Sequence, residues 1–342
     1  MDRGRQITAA ERGLMFTQKG NDKMKILLTT TVPAELVEKY AGFEITVPDH
    51  RMSYEEVSEV AAQYDAILGF GLKTDAALLD RGENLKAVAN FGVGYDNIDV
   101  AAATARGIAV VNTPTKVTDA TAEHTAALIF ATMRNIAKFD REVRQGIWNA
   151  PFMMDGMASV NGSVLGIVGF GRIGKAVCRK AQGMGMQVIY YDPFRSSAET
   201  EAEYQVTYCG FEELLQTADC VTLHLPYTKD NHHLFGKEAF EMMKQDAFFV
   251  NCARGPIVDE EALAQALRDG VIRGAGIDVF EHEPKVSDAL KELDNVTLTP
   301  HAASATKKAR IGMLLEAMDG LTGVLEGTDP SNVVNEKELA GK

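Results

Sequence analysis

A chain of 342 residues, 46% hydrophobic and 24% charged, has the length for two domains and the composition of a globular protein with a full core. Its net charge of −13 argues against a nucleic-acid or anionic-membrane surface, since both need a basic field; any anionic substrate must be met by a few local cations. Cys178, Cys209, Cys220 and Cys252 lack Cys-x-x-Cys or Cys/His metal spacing, which predicts free thiols in a reducing cytoplasm and no metal, and no apolar stretch approaches the ~20 residues of a membrane helix.

Residues 1–23 have no signal-peptide apolar core, and Asp2, Glu11 and Asp22 count against a transit peptide, so they read as a tail. Met24, opening "MKILLTT", is a candidate natural start. The runs KILLTT (25–30), FEITV (43–47), AILGF (66–70), LKAVANFG (85–92) and IAVVNTP (108–114) are expected strands with helical stretches between them, a smaller α/β domain. "FGVGYDNID" (91–99) carries a Gly-x-Gly, but Asn97 stands where a third glycine would be. It is a poor dinucleotide site. As a turn exposing the N–H groups of Val93 and Gly94 it suits a carboxylate, and spacing alone equally allows a plain strand-to-helix turn. The stretch 118–148 reads as one long helical region whose apolar front half should be buried between domains or between subunits.

"VLGIVGFGRIGKAV" (164–177) is a strand, a glycine turn and a helix start. Gly169, Gly171 and Gly174 match G-x-G-x-x-G, and Asp192 ends the next apolar run eighteen positions further on. Gly169 permits the tight turn, Gly171 lets backbone approach a pyrophosphate, and Gly174 lets helix and strand pack closely. Asp192 would accept the adenosine ribose hydroxyls and repel a 2′-phosphate, which favours NAD over NADP, although Arg195 lies nearby. Further apolar runs at 186–192, 220–226, 247–253, 274–280 and 296–301 alternate with helical stretches, giving six strands of a doubly wound parallel sheet.

Ligands of such sheets bind beyond the carboxyl ends of the strands. Arg254, Glu283 and His301 follow three of those ends. Hydride transfer to a ketone needs a cation to hold and polarise the substrate, an acid for the developing alkoxide and a partner for that acid. Arg254 suits the first role through its forked guanidinium. His301 suits the second, because imidazole titrates near neutral pH, and Glu283 the third, because a carboxylate stabilises imidazolium. The other histidines (His50, His124, His224, His232, His233, His282) read as structural. His282 is the nearest rival to His301 but follows no strand end directly, and His224 fits the lining of the cofactor channel. After His301 the chain runs helically and ends in "DPSNVVN"; this tail is expected to return and complete the first domain.

With these residues in place, the chain resembles the D-isomer-specific 2-hydroxyacid dehydrogenases, which include glyoxylate/hydroxypyruvate reductases, D-lactate, phosphoglycerate and formate dehydrogenases. The likeness covers roughly Met24 to Asn335 and rests on "FGVGYDNIDV", "NTPTKVTDATAEHT", "GIVGFGRIG", "LHLPYT", "NCARGPIVDEEAL", "GAGIDVFEHEP" and "TPHAAS". It implies Arg254, Glu283 and His301 as the catalytic set. It implies NAD contacts from Arg172, Ile173, Asp192, Pro226, Asn231, Cys252, Ala253 and Asp278. It also implies that the Val93–Gly94 backbone and the Leu72 side chain face substrate. The implied architecture is two doubly wound parallel-sheet domains: a Rossmann NAD-binding domain (120–303) inserted into a flavodoxin-like substrate domain (24–119 and 304–336), with the active site in the cleft. Residues 118–148 resemble the family's dimerisation segment, implying a homodimer.

The implied activity is reversible NADH-dependent reduction of a small 2-keto acid, of the glyoxylate, hydroxypyruvate or pyruvate class, to the D-2-hydroxy acid. The alternatives are a reductase for bulkier aromatic or branched 2-keto acids and a non-enzymatic NAD-sensing protein like certain transcriptional corepressors. Two departures stand out: "WNAPFMMDGMASVNG" (148–162) is shorter and richer in methionine than is usual in the family, and the long C-terminal regulatory extension of many phosphoglycerate dehydrogenases is missing.

Overall fold

The computed structural model describes residues 23–148, 156–328 and 330–340; the expected tail, apart from Lys23, and positions 149–155 of the methionine-rich stretch lie outside them. The chain divides into two compact units, one running to Val117 and resuming at Lys307, the other spanning Thr118–Thr306.

The first unit holds five parallel strands: β1 (Lys25–Leu28), β2 (Glu44–Thr46), β3 (Ala66–Gly69), β4 (Ala87–Asn90) and β5 (Ala109–Val111). Their order, β2-β1-β3-β4-β5, is that of a flavodoxin-like sheet. Alternation along each strand divides the core between the two faces. Ile26, Leu28, Leu68 and Val111 pack with Leu314, Met318, Leu321 and Leu325 of the helix Lys307–Glu326. Leu27, Ile67, Val88 and Val110 pack on the other side with Val57, Leu78, Leu79 and Ala103. Such strands have no polar face, which is why they read as short apolar runs. The outer edge of β5 is closed by the end of the chain. Val334 N–H donates to Val110 O at 2.7 Å, and the Asn335 side chain accepts from Val110 N–H at 2.8 Å and donates to Ile108 O at 3.0 Å.

The second unit holds seven parallel strands: β6 (Val164–Val168), β7 (Gln187–Tyr191), β8 (Thr207–Tyr208), β9 (Cys220–Leu223), β10 (Phe248–Asn251), β11 (Gly274–Ile277) and β12 (Val296–Leu298). The order β12-β11-β10-β9-β6-β7-β8 reverses direction at β6, as in a Rossmann sheet. The expected six strands become seven because β8, only two residues long, has no apolar run to announce it. The α/β class with two doubly wound parallel sheets is as expected. Helices approach each face where a strand carries glycine: a Cβ on Gly276 would lie 2.7 Å from Leu128 Cγ, and one on Gly166 would lie 2.6 Å from Leu214 Cδ2.

The stretch 118–148 is not one helix. It forms Thr118–Met133 and Ile136–Arg144, broken at Asn135, which takes a left-handed φ of +51° and donates from its side chain to Gly156 O. The front half contributes to the core of its own unit. Leu128, Ile129 and Met133 pack into the core of the second unit with Leu165, Val177 and Phe248. The exposed apolar residues of this region come elsewhere: Phe130, Ile136, Val143, Ile147 and Trp148. No helix of the described residues is long and apolar enough to cross a membrane.

Candidate active site

The three glycines of the loop after β6 have three separate reasons to be glycine. Gly169 has φ +99°, and a Cβ there would lie 2.6 Å from the His224 carbonyl carbon and 2.7 Å from Leu225 N, so the loop lies tight against the chain leaving β9. A Cβ on Gly174 would lie 2.2 Å from Gly169 O, so only glycine lets the helix start this close to the turn. At Gly171 nothing lies within 4 Å of the Cβ position. That open side lies at the N-terminus of the helix Arg172–Gly183, where no side chain caps the backbone N–H groups. An uncapped helix start beside open space is an anion site, and these residues fit a dinucleotide pyrophosphate. Asp192 spans the same loop: Oδ2 accepts from Phe170 N–H at 2.8 Å and Oδ1 from Phe194 N–H at 2.9 Å. His224 is partly buried, its pKa pushed down to about 3 by loss of hydration, and its Nε2 lies 3.1 Å from Thr222 Oγ1. It is a neutral group beside the loop.

At the far strand ends, His301 Nδ1 and Glu283 Oε2 are 2.8 Å apart. Glu283 Oε1 accepts from Phe280 N–H at 3.0 Å. Burial works to raise the Glu283 pKa, but the hydrogen bonds from His301 and Phe280 N–H, with the charges of His301 and Arg254, outweigh it and hold the carboxyl below its usual value. Arg254 reaches this neighbourhood because Gly255 lies flat against the next loop, where a Cβ would come within 2.0 Å of Phe280 backbone. Asn251 braces the turn, donating to Arg254 O at 3.0 Å and accepting from Ala253 N–H at 2.9 Å.

His301 itself has a left-handed φ of +51°, costly for a residue with a Cβ. Asp278, fully buried, holds it there. Its carboxylate accepts from Thr299 Oγ1 at 2.6 Å, Ala302 N–H at 2.8 Å and Ala303 N–H at 3.0 Å, and its carbonyl accepts from His301 N–H at 2.7 Å. His124 Nε2 lies 3.1 Å from Thr299 Oγ1 and 3.4 Å from Asp278 Oδ1, closing the network from the helix Thr118–Met133.

In the first unit, the turn Gly92–Gly94 is held by its carbonyls. Thr113 N–H donates to Gly92 O at 2.9 Å, Asn112 Nδ2 to Val93 O at 2.8 Å and Asn90 Nδ2 to Gly94 O at 2.5 Å. The N–H groups of Val93 and Gly94 have no acceptor among the described residues. Beside the turn, Phe91 stacks on Phe70 at 4.4 Å, and the Arg310 guanidinium carbon lies 5.4 Å from the Phe91 ring centroid.

A family model for the D-isomer specific 2-hydroxyacid dehydrogenase NAD-binding domain matches residues 126–303. The glyoxylate reductase of Thermococcus litoralis is 41% identical over 330 residues, covering 93% of this chain and 98% of that one. The chain belongs to the D-isomer specific 2-hydroxyacid dehydrogenase family. Glyoxylate/hydroxypyruvate reductase B of Klebsiella pneumoniae is 39% identical, covering 92% of this chain and 98% of its own. Among solved structures, the NADPH-dependent glyoxylate/hydroxypyruvate reductase of Sinorhizobium meliloti, in complex with NADP and malonate, superposes with a TM-score of 0.83 at 30% identity, covering 93% of this chain and 98% of that one. This dehydrogenase is therefore an oxidoreductase that uses a nicotinamide cofactor on small 2-keto and 2-hydroxy acids, and the non-enzymatic reading falls away.

The remaining residues implied by the family resemblance divide. Asn231 shapes the loop after β9, donating to Pro226 O at 2.8 Å and accepting from Thr228 N–H at 2.8 Å. Cys252 is buried, its thiol pushed up to about 12 by desolvation, and Ala253 follows it into the Arg254 turn. Arg172 and Ile173 open the helix after the glycine loop. The Leu72 side chain packs in the first unit with Leu78, Leu79 and Ile98. Apolar packing claims it, and Asn97 grips its carbonyl at 2.7 Å. The site residues the sequence reading passed over are His124, Thr299 and Arg310. Arg310 is half-buried, burial pulls its pKa below the ordinary arginine value, and no carboxylate pairs with it among the described residues. Nothing in its sequence neighbourhood marks it, because its burial depends on a turn more than 200 positions earlier.

Proposed function

We propose that this dehydrogenase reduces glyoxylate or hydroxypyruvate, with pyruvate the next candidate, using NADH and giving the D-2-hydroxy acid where the new centre is chiral. The observation that carries the reading is the 2.8 Å Glu283–His301 contact at the carboxyl ends of the sheet, with Arg254 on the adjoining loop. The activities named for the Thermococcus and Klebsiella relatives support the substrate class.

The pyrophosphate is assigned to Gly169, Gly171, Gly174 and the helix start at Arg172 and Ile173. The ribose is assigned to Asp192, whose charge repels a 2′-phosphate and favours NADH. His224, Pro226, Asn231, Cys252, Ala253 and Asp278 are assigned to the rest of the cofactor. When bound, the dihydronicotinamide supplies the hydride that ends on the keto carbon. Arg254 polarises the carbonyl and grips the substrate by its planar fork. His301, with Nδ1 engaged by Glu283, delivers the proton from Nε2 to the carbonyl oxygen as it becomes an alkoxide. Glu283 stabilises the imidazolium before transfer. The unused N–H groups of Val93 and Gly94 take the substrate carboxylate, with the Arg310 charge beside them.

The chain is further proposed to form a homodimer through the exposed apolar row from Phe130 to Trp148, and to reside in the cytoplasm, where its four buried free thiols stay reduced. Trp148→Glu should convert a dimeric sedimentation profile to a monomeric one, and an unmoved profile refutes that face.

The test of activity is NADH oxidation at ~340 nm, the dihydronicotinamide band, with glyoxylate, hydroxypyruvate, pyruvate, 2-ketoisocaproate and phenylpyruvate. Saturable turnover led by the small acids is expected. A ranking led by phenylpyruvate transfers the assignment to bulky 2-keto acids. His301→Ala should lower kcat by ~10²–10⁴-fold with NADH binding intact, the worth of a general acid; an unaffected kcat removes His301 from the proton-transfer role.

A further inference from the structure

Arg195 follows Asp192 by three positions, on the loop from β7 to the helix Ala198–Tyr204. A guanidinium beside a ribose-binding carboxylate is the usual receiver of an adenosine 2′-phosphate. Here that guanidinium is engaged elsewhere. Its Nε donates to Glu201 Oε1 at 2.8 Å and its Nη2 to Glu201 Oε2 at 2.9 Å, a two-pronged pair. Its Cζ also lies 5.0 Å from the ring centroid of Tyr208 in β8.

Glu201 is anchored in turn. Tyr190 Oη donates to Glu201 Oε1 at 2.7 Å, and Ser196 N–H donates to the Tyr190 hydroxyl at 3.0 Å. The Tyr190 ring is fully buried and stacks on Phe170 of the glycine loop at 4.3 Å. The Glu201 side chain is 14% exposed against 61% for Arg195, so the carboxylate is the fixed member of the pair and the arginine the movable one. Arg195 and Tyr190, as hydrogen-bond donors, hold the Glu201 pKa down to about 2, so the latch stays charged across the working range.

We propose that Glu201 is a positioning residue for nucleotide choice: it draws Arg195 toward β8 and away from the adenosine 2′ position, leaving Asp192 alone to meet the ribose. The proposal rests on the reading of Asp192 as the ribose acceptor. A 2′-phosphate then faces two obstacles, the repulsion of Asp192 and an arginine that must leave a bidentate partner and an aromatic face before it can help. The bland alternative is a staple that merely fixes the loop to the sheet edge, which would alter thermal stability without altering nucleotide selectivity.

Isothermal titration of the full chain with 2′,5′-ADP and with 5′-ADP separates these. In the unaltered protein and in Arg195→Ala the ratio of the two affinities should be the same, because Arg195 does not reach the phosphate. Glu201→Gln should shift the ratio toward 2′,5′-ADP by about tenfold, the worth of one charge-assisted hydrogen bond, and adding Arg195→Ala should cancel that shift. An unmoved ratio in Glu201→Gln overturns the proposal. So does a loss of 2′,5′-ADP affinity in Arg195→Ala alone, an arm that decides even if the Glu201 variant fails to fold. Asp192→Ala tests the underlying reading separately. If it leaves the ratio unchanged while Glu201→Gln moves it, the ribose assignment falls and the latch stands.

Discussion

Two turns in this chain begin with Gly-x-Gly at a strand end, and they offer different sets of backbone donors. At Gly169–Gly174 the third glycine lets a helix start so close to the turn that a Cβ would lie 2.2 Å from Gly169 O, and the donors the turn offers are those of an uncapped helix. At Gly92–Gly94 the corresponding position is Asn97, whose side chain donates to Leu72 O at 2.7 Å and to Asn90 Oδ1 at 3.2 Å. No helix starts on that turn. Its three carbonyls are tied to Thr113, Asn112 and Asn90, and the donors left over are two backbone N–H groups, enough for a carboxylate and too few for a pyrophosphate. On the proposed reading, what separates a dinucleotide loop from a small-anion turn is whether a helix starts on the turn and aims its dipole at the ligand.

The sharpest way to break this comparison is Gly174→Val. With backbone 2.2 Å from its Cβ position, the substitution should push the helix off the turn and reduce NADH affinity ~100-fold, about 2.7 kcal/mol and the upper end of the ~1–3 kcal/mol cost of an overpacked contact. Fluorescence titration with NADH reads this directly, and unaltered affinity would mean that the helix start does not bind the cofactor. On the other turn, Gly94→Pro removes one free N–H and should raise KM for glyoxylate about tenfold while leaving the NADH dissociation constant alone. Arg310→Ala should raise the same KM by ~5-fold, a smaller effect because its charge is partly exposed. An equal fall in kcat with KM unmoved would assign Arg310 to something other than carboxylate binding. The smallest effect is expected for Asn97→Gly. It completes a glycine pattern on the first turn but deletes the brace on Leu72, so it should cost about 1 kcal/mol of stability and create no second NADH site. A second equivalent of bound NADH would show that the pattern alone is sufficient.

Much of the fold was legible because its signals are local. Apolar runs buried on both faces, separated by helical stretches, demand parallel sheets covered on both sides, and the G-x-G-x-x-G run with Asp192 eighteen positions on announces the start of the cofactor sheet. Arg254 and His301 were legible because each lies three positions past a strand end, and Glu283 because it lies on the loop that follows β11. What was not legible depended on contacts between distant segments. β8 is two residues long and exists because β7 offers an edge. The break at Asn135 is a left-handed residue whose side chain is answered by Gly156, twenty-one positions later. The front half of 118–148 reads as apolar whatever covers it, and only the tertiary structure packs it against Gly276 of the second sheet.

The sequence by itself determined the class, the glycine loop and the placing of Arg254, Glu283 and His301 beyond three strands, because each rests on residue type and spacing along one segment. Tertiary structure alone decided the rest. Leu72 went to the core, Arg310 became a half-buried cation over Phe91, Asp278 took up the task of holding His301 in a left-handed turn, and Glu201 took Arg195. Each of these is a choice among partners far apart in the chain, and hydrogen bonds and burial are properties of neighbours in space, which no local pattern records.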